Sequence, residues 1–146
     1  KLSLEPIGGG TDIVVEYRDL DADGPNLPVV DVSGNLVAGT SYNGAILLLN
    51  ETVDPSENVT EEVDEEALEH QFFYTIGGDL DVATEYENFD ADGNPLGTLL
   101  MLSTGEASSG TLTLTLRHEP NKPNTGLSDA GGETDIEVTF NVAVVD

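Results

Sequence analysis

Two histidines, His70 and His118, are the side chains of this chain best suited to bind a transition metal. The chain has no cysteine, so imidazole is its only strong nitrogen or sulfur ligand. Glu69 precedes the first histidine and Glu119 follows the second. Two imidazoles with one or two carboxylates suit zinc or copper. The sequence therefore predicts a metal site at these four residues, although histidines that hydrogen-bond to loop backbone would show the same pattern.

Strand periodicity predicts where the two imidazoles lie. Alternate residues of a strand share a face, and each histidine continues the apolar face of an alternating segment. His70 begins one such face and His118 ends another, in the series Phe72, Tyr74, Ile76 and Leu112, Leu114, Leu116. If the two strands are antiparallel neighbours, the imidazoles meet at one rim of the sheet.

Two aspartate-rich turns are candidates for calcium. Asp19, Asp21 and Asp23 alternate before a glycine, and Asp90 and Asp92 repeat the pattern in a shorter form. Carboxylates spaced in this way around a turn can direct several oxygens at one hard cation. The EF-hand itself does not fit, because no helices are expected beside either turn. The alternative is a solvated turn in which the aspartates bond to their own backbone.

The charge of the chain restricts its partners. Asp and Glu number 29 and Lys and Arg number 4, so the formal net charge is −25. Such a surface repels nucleic acid and anionic membrane and attracts cations. It suits an exported or cell-surface protein, although the cytoplasm of a halophile would favour the same composition. We expect no nucleic-acid partner.

The period-two pattern predicts an all-β fold in a single domain spanning residues 1–146. Seven or eight short strands separated by glycine-rich turns indicate an antiparallel β-sandwich of the immunoglobulin-like type. A closed barrel fits less well, because the polar faces of the strands are wide. One or two helical turns are expected within residues 59–68, as the only helix.

Motifs of catalysis are missing from the sequence. It contains no serine-centred elbow, no phosphate-binding glycine loop and no HExxH helix. Among the many carboxylates, no pair is recognisable as a carboxyl group of raised pKa beside an ionised one, which is the arrangement that a hydrolase would need. We therefore expect a protein that is not an enzyme.

Five short motifs together resemble a group of small exported lipoproteins of Bacteroidota. They are GGGTD at 8–12, DLDADGP at 19–25, EHQFFY at 69–74, LRHEP at 116–120 and GGETD at 131–135. Proteins of that group are anchored in the outer membrane, are often associated with TonB-dependent receptors, and have no characterised activity. The resemblance implies an acylated cysteine upstream of Lys1, so that contact with membrane would occur only through this lipid anchor. It also implies an outer-membrane receptor or complex as a partner.

These observations favour a non-enzymatic, acidic binding module at the cell surface. Its expected ligand is a metal cation, or a ligand that it shares with a receptor. The alternative is a structural or accessory subunit of an outer-membrane complex or surface assembly, with no ligand of its own.

Overall fold

The computed structural model describes residues 1–21 and 24–146. Of these residues, 51% are in strands and 8% in helices, which confirms the predicted all-β, sandwich-like fold. The described residues form twelve strands and two short helices. In chain order these are β1 (Leu2–Pro6), β2 (Ile13–Arg18), β3 (Val29–Val32), β4 (Leu36–Val37), β5 (Ser41–Ile46), β6 (Leu49–Asn50), β7 (Glu57–Asn58), α1 (Val59–Glu65), β8 (His70–Gly78), β9 (Val82–Tyr86), β10 (Leu99–Thr104), β11 (Ser108–His118), α2 (Leu127–Ala130) and β12 (Glu133–Val145).

Two sheets make up the body of the protein. The larger has the order β3-β2-β1-β5-β10-β9, and the smaller has the order β4-β12-β11-β8. A separate two-stranded ladder joins β6 to β7. The prediction of seven or eight strands was too low, because short edge and ladder strands of two residues carry no alternation that a sequence can show. The pairing is also not wholly antiparallel, since β12 runs parallel to β4.

The alternation of the long strands produces the core. In β11 the residues Leu112, Leu114 and Leu116 are buried, while Thr111 and Thr113 on the opposite face are partly exposed and Thr115 on that face is covered. The larger sheet supplies the facing layer through its own buried side chains, among them Leu4, Tyr42 and Leu102. Burial of these apolar side chains is the main force that holds the sheets together.

The strand that carries His70 is covered on both faces. The first four residues of β8 are all buried, so the period-two pattern of exposure disappears there. Gln71 on the outer side is 1% exposed, and its side-chain oxygen accepts a hydrogen bond from Asn124. The segment between β11 and β12 therefore lies over the outer face of β8 and holds this end of the strand in place.

The two helices are short. The first occupies Val59–Glu65, within the predicted range, and the Asn58 side chain caps it by accepting from the Thr60 N–H at 3.1 Å. The second, Leu127–Ala130, was not predicted, because four residues are too few to show a helical period. Neither helix of the described chain is long and apolar enough to cross a membrane.

Candidate metal centre

The two histidines are direct neighbours across a pair of antiparallel strands. His118 at the end of β11 is paired in register with His70 at the start of β8. Their rings are stacked, with centroids 4.9 Å apart and planes inclined by 11°. The two strands are therefore the antiparallel neighbours on which the meeting of the two imidazoles depended.

A β-bulge adds a carboxylate to this pair. On β12, Ile136 is paired with Leu116 and Thr134 is paired with Arg117, so that Asp135 between them has no partner on β11. A bulge of this kind turns the extra side chain away from its regular direction. The Asp135 carboxylate consequently lies on the histidine side of the sheet, with Oδ2 3.8 Å from His70 Nε2.

His70, His118 and Asp135 form a compact set of potential ligands. One donor atom from each lies within 4.8 Å of the other two. Two atoms that each bind zinc at about 2.0–2.1 Å can be no more than about 4.2 Å apart. The donor atoms lie close to this limit, but the two imidazole planes are nearly parallel, so both rings would have to rotate before their lone pairs point to one ion.

A backbone carbonyl orients the inner imidazole. His70 Nδ1 lies 3.2 Å from the carbonyl oxygen of Glu66, just beyond the C-terminal end of α1. If Nδ1 carries the proton and donates it to that carbonyl, Nε2 presents its lone pair toward Asp135. A hydrogen bond on one ring nitrogen, with the other nitrogen left for metal, is the usual arrangement of a metal-binding histidine.

The site is closed on one side and open on the other. The His70 side chain is 8% exposed, whereas those of His118 and Asp135 are 38% and 39% exposed. An ion could enter from solvent past the outer two ligands. Two further carboxylates lie near the imidazoles: Glu66 Oε2 is 3.9 Å from His70 Nδ1, and Glu69 Oε2 is 3.9 Å from His118 Nε2.

The predicted carboxylate ligands have different positions. Glu69 is close to His118, as its place beside His70 suggested. Within the described residues the Glu119 side chain forms no ion pair or hydrogen bond. Glu119 contacts the region through its backbone, whose N–H donates to the Glu69 carbonyl at 2.7 Å, and its φ is 50°. Asp135 was missed, because a regular strand would point it to the opposite face and the sequence does not show the bulge.

The first aspartate-rich turn is organised by its own side chains. Asp21 Oδ2 accepts from both the backbone and the side-chain nitrogen of Asn26, at 3.1 and 2.6 Å. The bond from the Asn26 backbone lowers the pKa of Asp21 most, and the bond from the Asn26 side chain lowers it further. Asp19 Oδ1 accepts from the Asp21 N–H at 3.3 Å. Asp23 lies outside the described residues, and calcium binding at this turn stays a prediction.

The second aspartate-rich turn contains a buried ion pair. Oδ1 of Asp90 accepts from the N–H groups of Asp92 and Asn94, and Oδ2 lies 3.0 Å from the Lys122 ammonium. Asp92 itself is exposed. The geometry favours a structural role for Asp90, whose oxygens all have partners, over the predicted role as a calcium ligand.

Comparison with known proteins identifies no relative. The chain matches no protein-family description, no curated protein and no solved structure at a significant level. The geometry of the site is therefore the basis for a functional assignment.

Proposed function

We propose that this protein is a non-enzymatic module that binds one divalent transition-metal ion, zinc or copper, through His70, His118 and Asp135. The main evidence is that the paired strands β8 and β11, with the bulge in β12, bring all three side chains to one rim of the smaller sheet. These are the only histidines of the chain, 48 positions apart by their residue numbers, and they are stacked in register. Two imidazoles and a carboxylate are a donor set that suits zinc or copper(II).

The surroundings of the site support cation binding. The carboxylates of Glu66 and Glu69 lie near the two imidazoles, and the whole chain has a formal net charge of −25. A field of this sign raises the local concentration of cations and speeds their association. Three protein ligands also leave a fourth position for water, a neighbouring carboxylate or a group from a partner.

We place this module outside the cytoplasm, at the outer membrane or cell surface. The acidic composition and the resemblance to exported lipoproteins support that location and a lipid anchor upstream of Lys1. An outer-membrane receptor or complex would then be the partner that receives or supplies the metal. An accessory subunit with no ligand of its own is the alternative.

Titration calorimetry with zinc tests the proposal. In 150 mM sodium chloride, which weakens loose binding by exposed carboxylates, we expect one tight site per chain. The double variant His70→Ala/His118→Ala should lose the tight site and keep the weak background. Because His70 is buried, His118→Ala alone provides a second test that disturbs the core less.

A matched control and a direct spectroscopic readout complete the experiment. Asp31→Asn removes an exposed acid from β3 on the other sheet, and it should leave the tight site unchanged. Copper(II) bound to the wild type should show hyperfine coupling to two imidazole nitrogens in its electron paramagnetic resonance spectrum. Identical isotherms for the wild type and the double variant would refute the metal site, and the accessory-subunit alternative would then lead.

A further inference from the structure

A cleft lies between the two sheets and is lined by residues of both. It has a volume of about 290 Å³. Both sheets contribute apolar walls, with Leu2 and Ile46 on the larger sheet facing Phe72, Leu114, Val138 and Phe140 on the smaller one. None of the three proposed metal ligands lines it.

The size of the cleft is appropriate for one small molecule. An apolar cavity of about 150 Å³ lined by Leu, Ile and Phe can hold a benzene ring. Ligand pockets in general begin at about 300 Å³. An eight-carbon chain or a single ring with a short substituent would therefore fit between the sheets and remove apolar surface from water.

The mouth of the cleft carries a large share of the positive charge of the protein. Lys1 and Arg18 both line it, although the whole chain has only 4 Lys and Arg. The Arg18 guanidinium donates from Nε and one terminal nitrogen to Glu51, at 2.8 and 2.7 Å. These bonds raise the pKa of Arg18 and lower that of Glu51.

Arg18 retains capacity for a second anion. A guanidinium has five N–H donors, and the pair with Glu51 uses two of them. Acids also face the mouth, since Asp19 and Glu51 line it and Glu16 lies 3.5 Å from the Lys1 ammonium. An anion that enters this acidic field is therefore stabilised only close to a cationic side chain, Lys1 or Arg18, which fixes the orientation of the ligand.

We propose that the cleft binds a small monocarboxylate with an apolar tail. The tail occupies the space between the sheets, and the carboxylate accepts hydrogen bonds from Arg18 at the mouth. Arginine suits this task because its planar fork matches the geometry of a carboxylate. The binding site is separate from the proposed metal centre and goes beyond the proposed function.

Three eight-carbon probes separate the contribution of the tail from that of the charge. Octanoate, octanol and octylammonium share the same chain and differ in the head group. Titration calorimetry in the absence of metal should show one octanoate per chain, with octanol about tenfold weaker because it lacks the charge-assisted bonds. Octylammonium should bind no better than octanol. Equal affinity for octanoate and octanol would overturn the recognition of the carboxylate.

Two variants at the mouth should have opposite effects. Arg18→Gln should weaken octanoate about tenfold and change octanol less than twofold, since only the charged hydrogen bonds are lost. Glu51→Gln should strengthen octanoate by releasing the guanidinium. Glu5→Gln, at an exposed position of β1, measures the effect of one fewer negative charge on the surface. A Glu51→Gln effect no larger than that of Glu5→Gln would contradict the role of Arg18.

A variant that fills the cleft tests whether octanoate binds there. Val138→Phe places a larger apolar side chain in the empty volume and should abolish binding of both octanoate and octanol. Its circular dichroism spectrum and melting temperature establish that the variant folds. Unchanged binding by the folded variant, or no binding of octanoate by the wild type, would overturn the site. The His70→Ala/His118→Ala variant should bind octanoate normally, so that the two proposals fail independently.

Discussion

The ammonium group of Lys122 lies 3.0 Å from the carboxylate of Asp90, and both side chains are almost completely buried, at 6% and 0% exposure. Lys122 also donates to the carbonyl of Ala67 at 2.8 Å. The pair thus fastens the segment after β11 to the β9–β10 connection and to the chain that leads from α1 into β8. This cluster supports the end of β8 at which His70 stands.

Breaking this ion pair should destabilise the fold substantially. Lys122→Met leaves the Asp90 carboxylate buried without its counter-ion, and such a change costs about 3 kcal/mol or more. Asp90→Asn/Lys122→Met should recover part of the loss, because no charge is then buried. Urea unfolding gives the free energies, with Lys1→Met at an exposed ion pair as the control. Equal effects of Lys122→Met and Lys1→Met would contradict the prediction.

The same pair should contribute a defined pH dependence. Burial alone would raise the pKa of Asp90, but the hydrogen bonds from Asn94 and Lys122 together lower it below its ordinary value. A group whose pKa is lower in the folded state stabilises above its unfolded value, and that stability is lost as pH falls through the folded value. The difference in unfolding free energy between wild type and Asp90→Asn should therefore be constant near neutrality and shrink below about pH 4. A constant difference from pH 7 to pH 2.5 would refute it.

Gly132 should be needed for the geometry of the metal site. Its φ is 72°, and a Cβ there would collide with the backbone carbonyl oxygen of His118. Gly132→Ala should cost more than the roughly 1–2 kcal/mol of the backbone conformation alone, and it should weaken zinc binding. Gly93→Ala is the matched control, because Gly93 has a φ of 83° and open space around its Cβ position. Thermal unfolding and zinc titration of the two variants check this, and equal losses would count against the prediction.

Asp135 should contribute to metal affinity whereas its neighbour should not. Asp135→Asn replaces a charged ligand with a weaker neutral one, and we expect zinc affinity to fall by about tenfold or more. Glu137→Gln removes the same charge two residues further along β12, opposite Thr115 rather than a histidine, and should change the affinity less than threefold. Calorimetric titration of both variants at one salt concentration is the measurement. If the two variants bind zinc equally well, Asp135 is not a ligand.

Calcium should stabilise the protein more than sodium does if the first aspartate-rich turn binds it. Any salt will raise the melting temperature by screening the net charge of −25. A bound ion adds stability in proportion to RT ln(1 + [L]/Kd). Millimolar calcium should therefore exceed sodium chloride of equal ionic strength, and Asp21→Asn/Asp23→Asn should remove the excess. If sodium matches calcium in scanning calorimetry, the turn does not bind calcium.

Several elements of the fold were predictable because their determinants are local. Alternation in β11 and β12 is continuous over long segments, so the sequence alone indicated strands, their buried faces and the all-β class. The same alternation placed His70 and His118 at strand ends on inward faces. The range 59–68 also contained the first helix, since Asn58 supplies a capping side chain just before it.

Only the tertiary structure decided which elements meet. Strand pairing depends on packing between distant segments, so alternation could not show that β8 lies beside β11, nor that the parallel strand β4 extends the smaller sheet. Asp135 joins the histidines because it has no partner on β11, so that its side chain turns to the opposite face of the sheet. A single unpaired residue leaves no periodic signal in the sequence. Likewise Asp90 looked like a calcium ligand in its local motif, and the chain fold instead gave it Lys122, 32 positions away, as a partner. Local sequence determines the direction of side chains along a regular strand, whereas contacts between strands determine where that regularity is interrupted and which charges become neighbours.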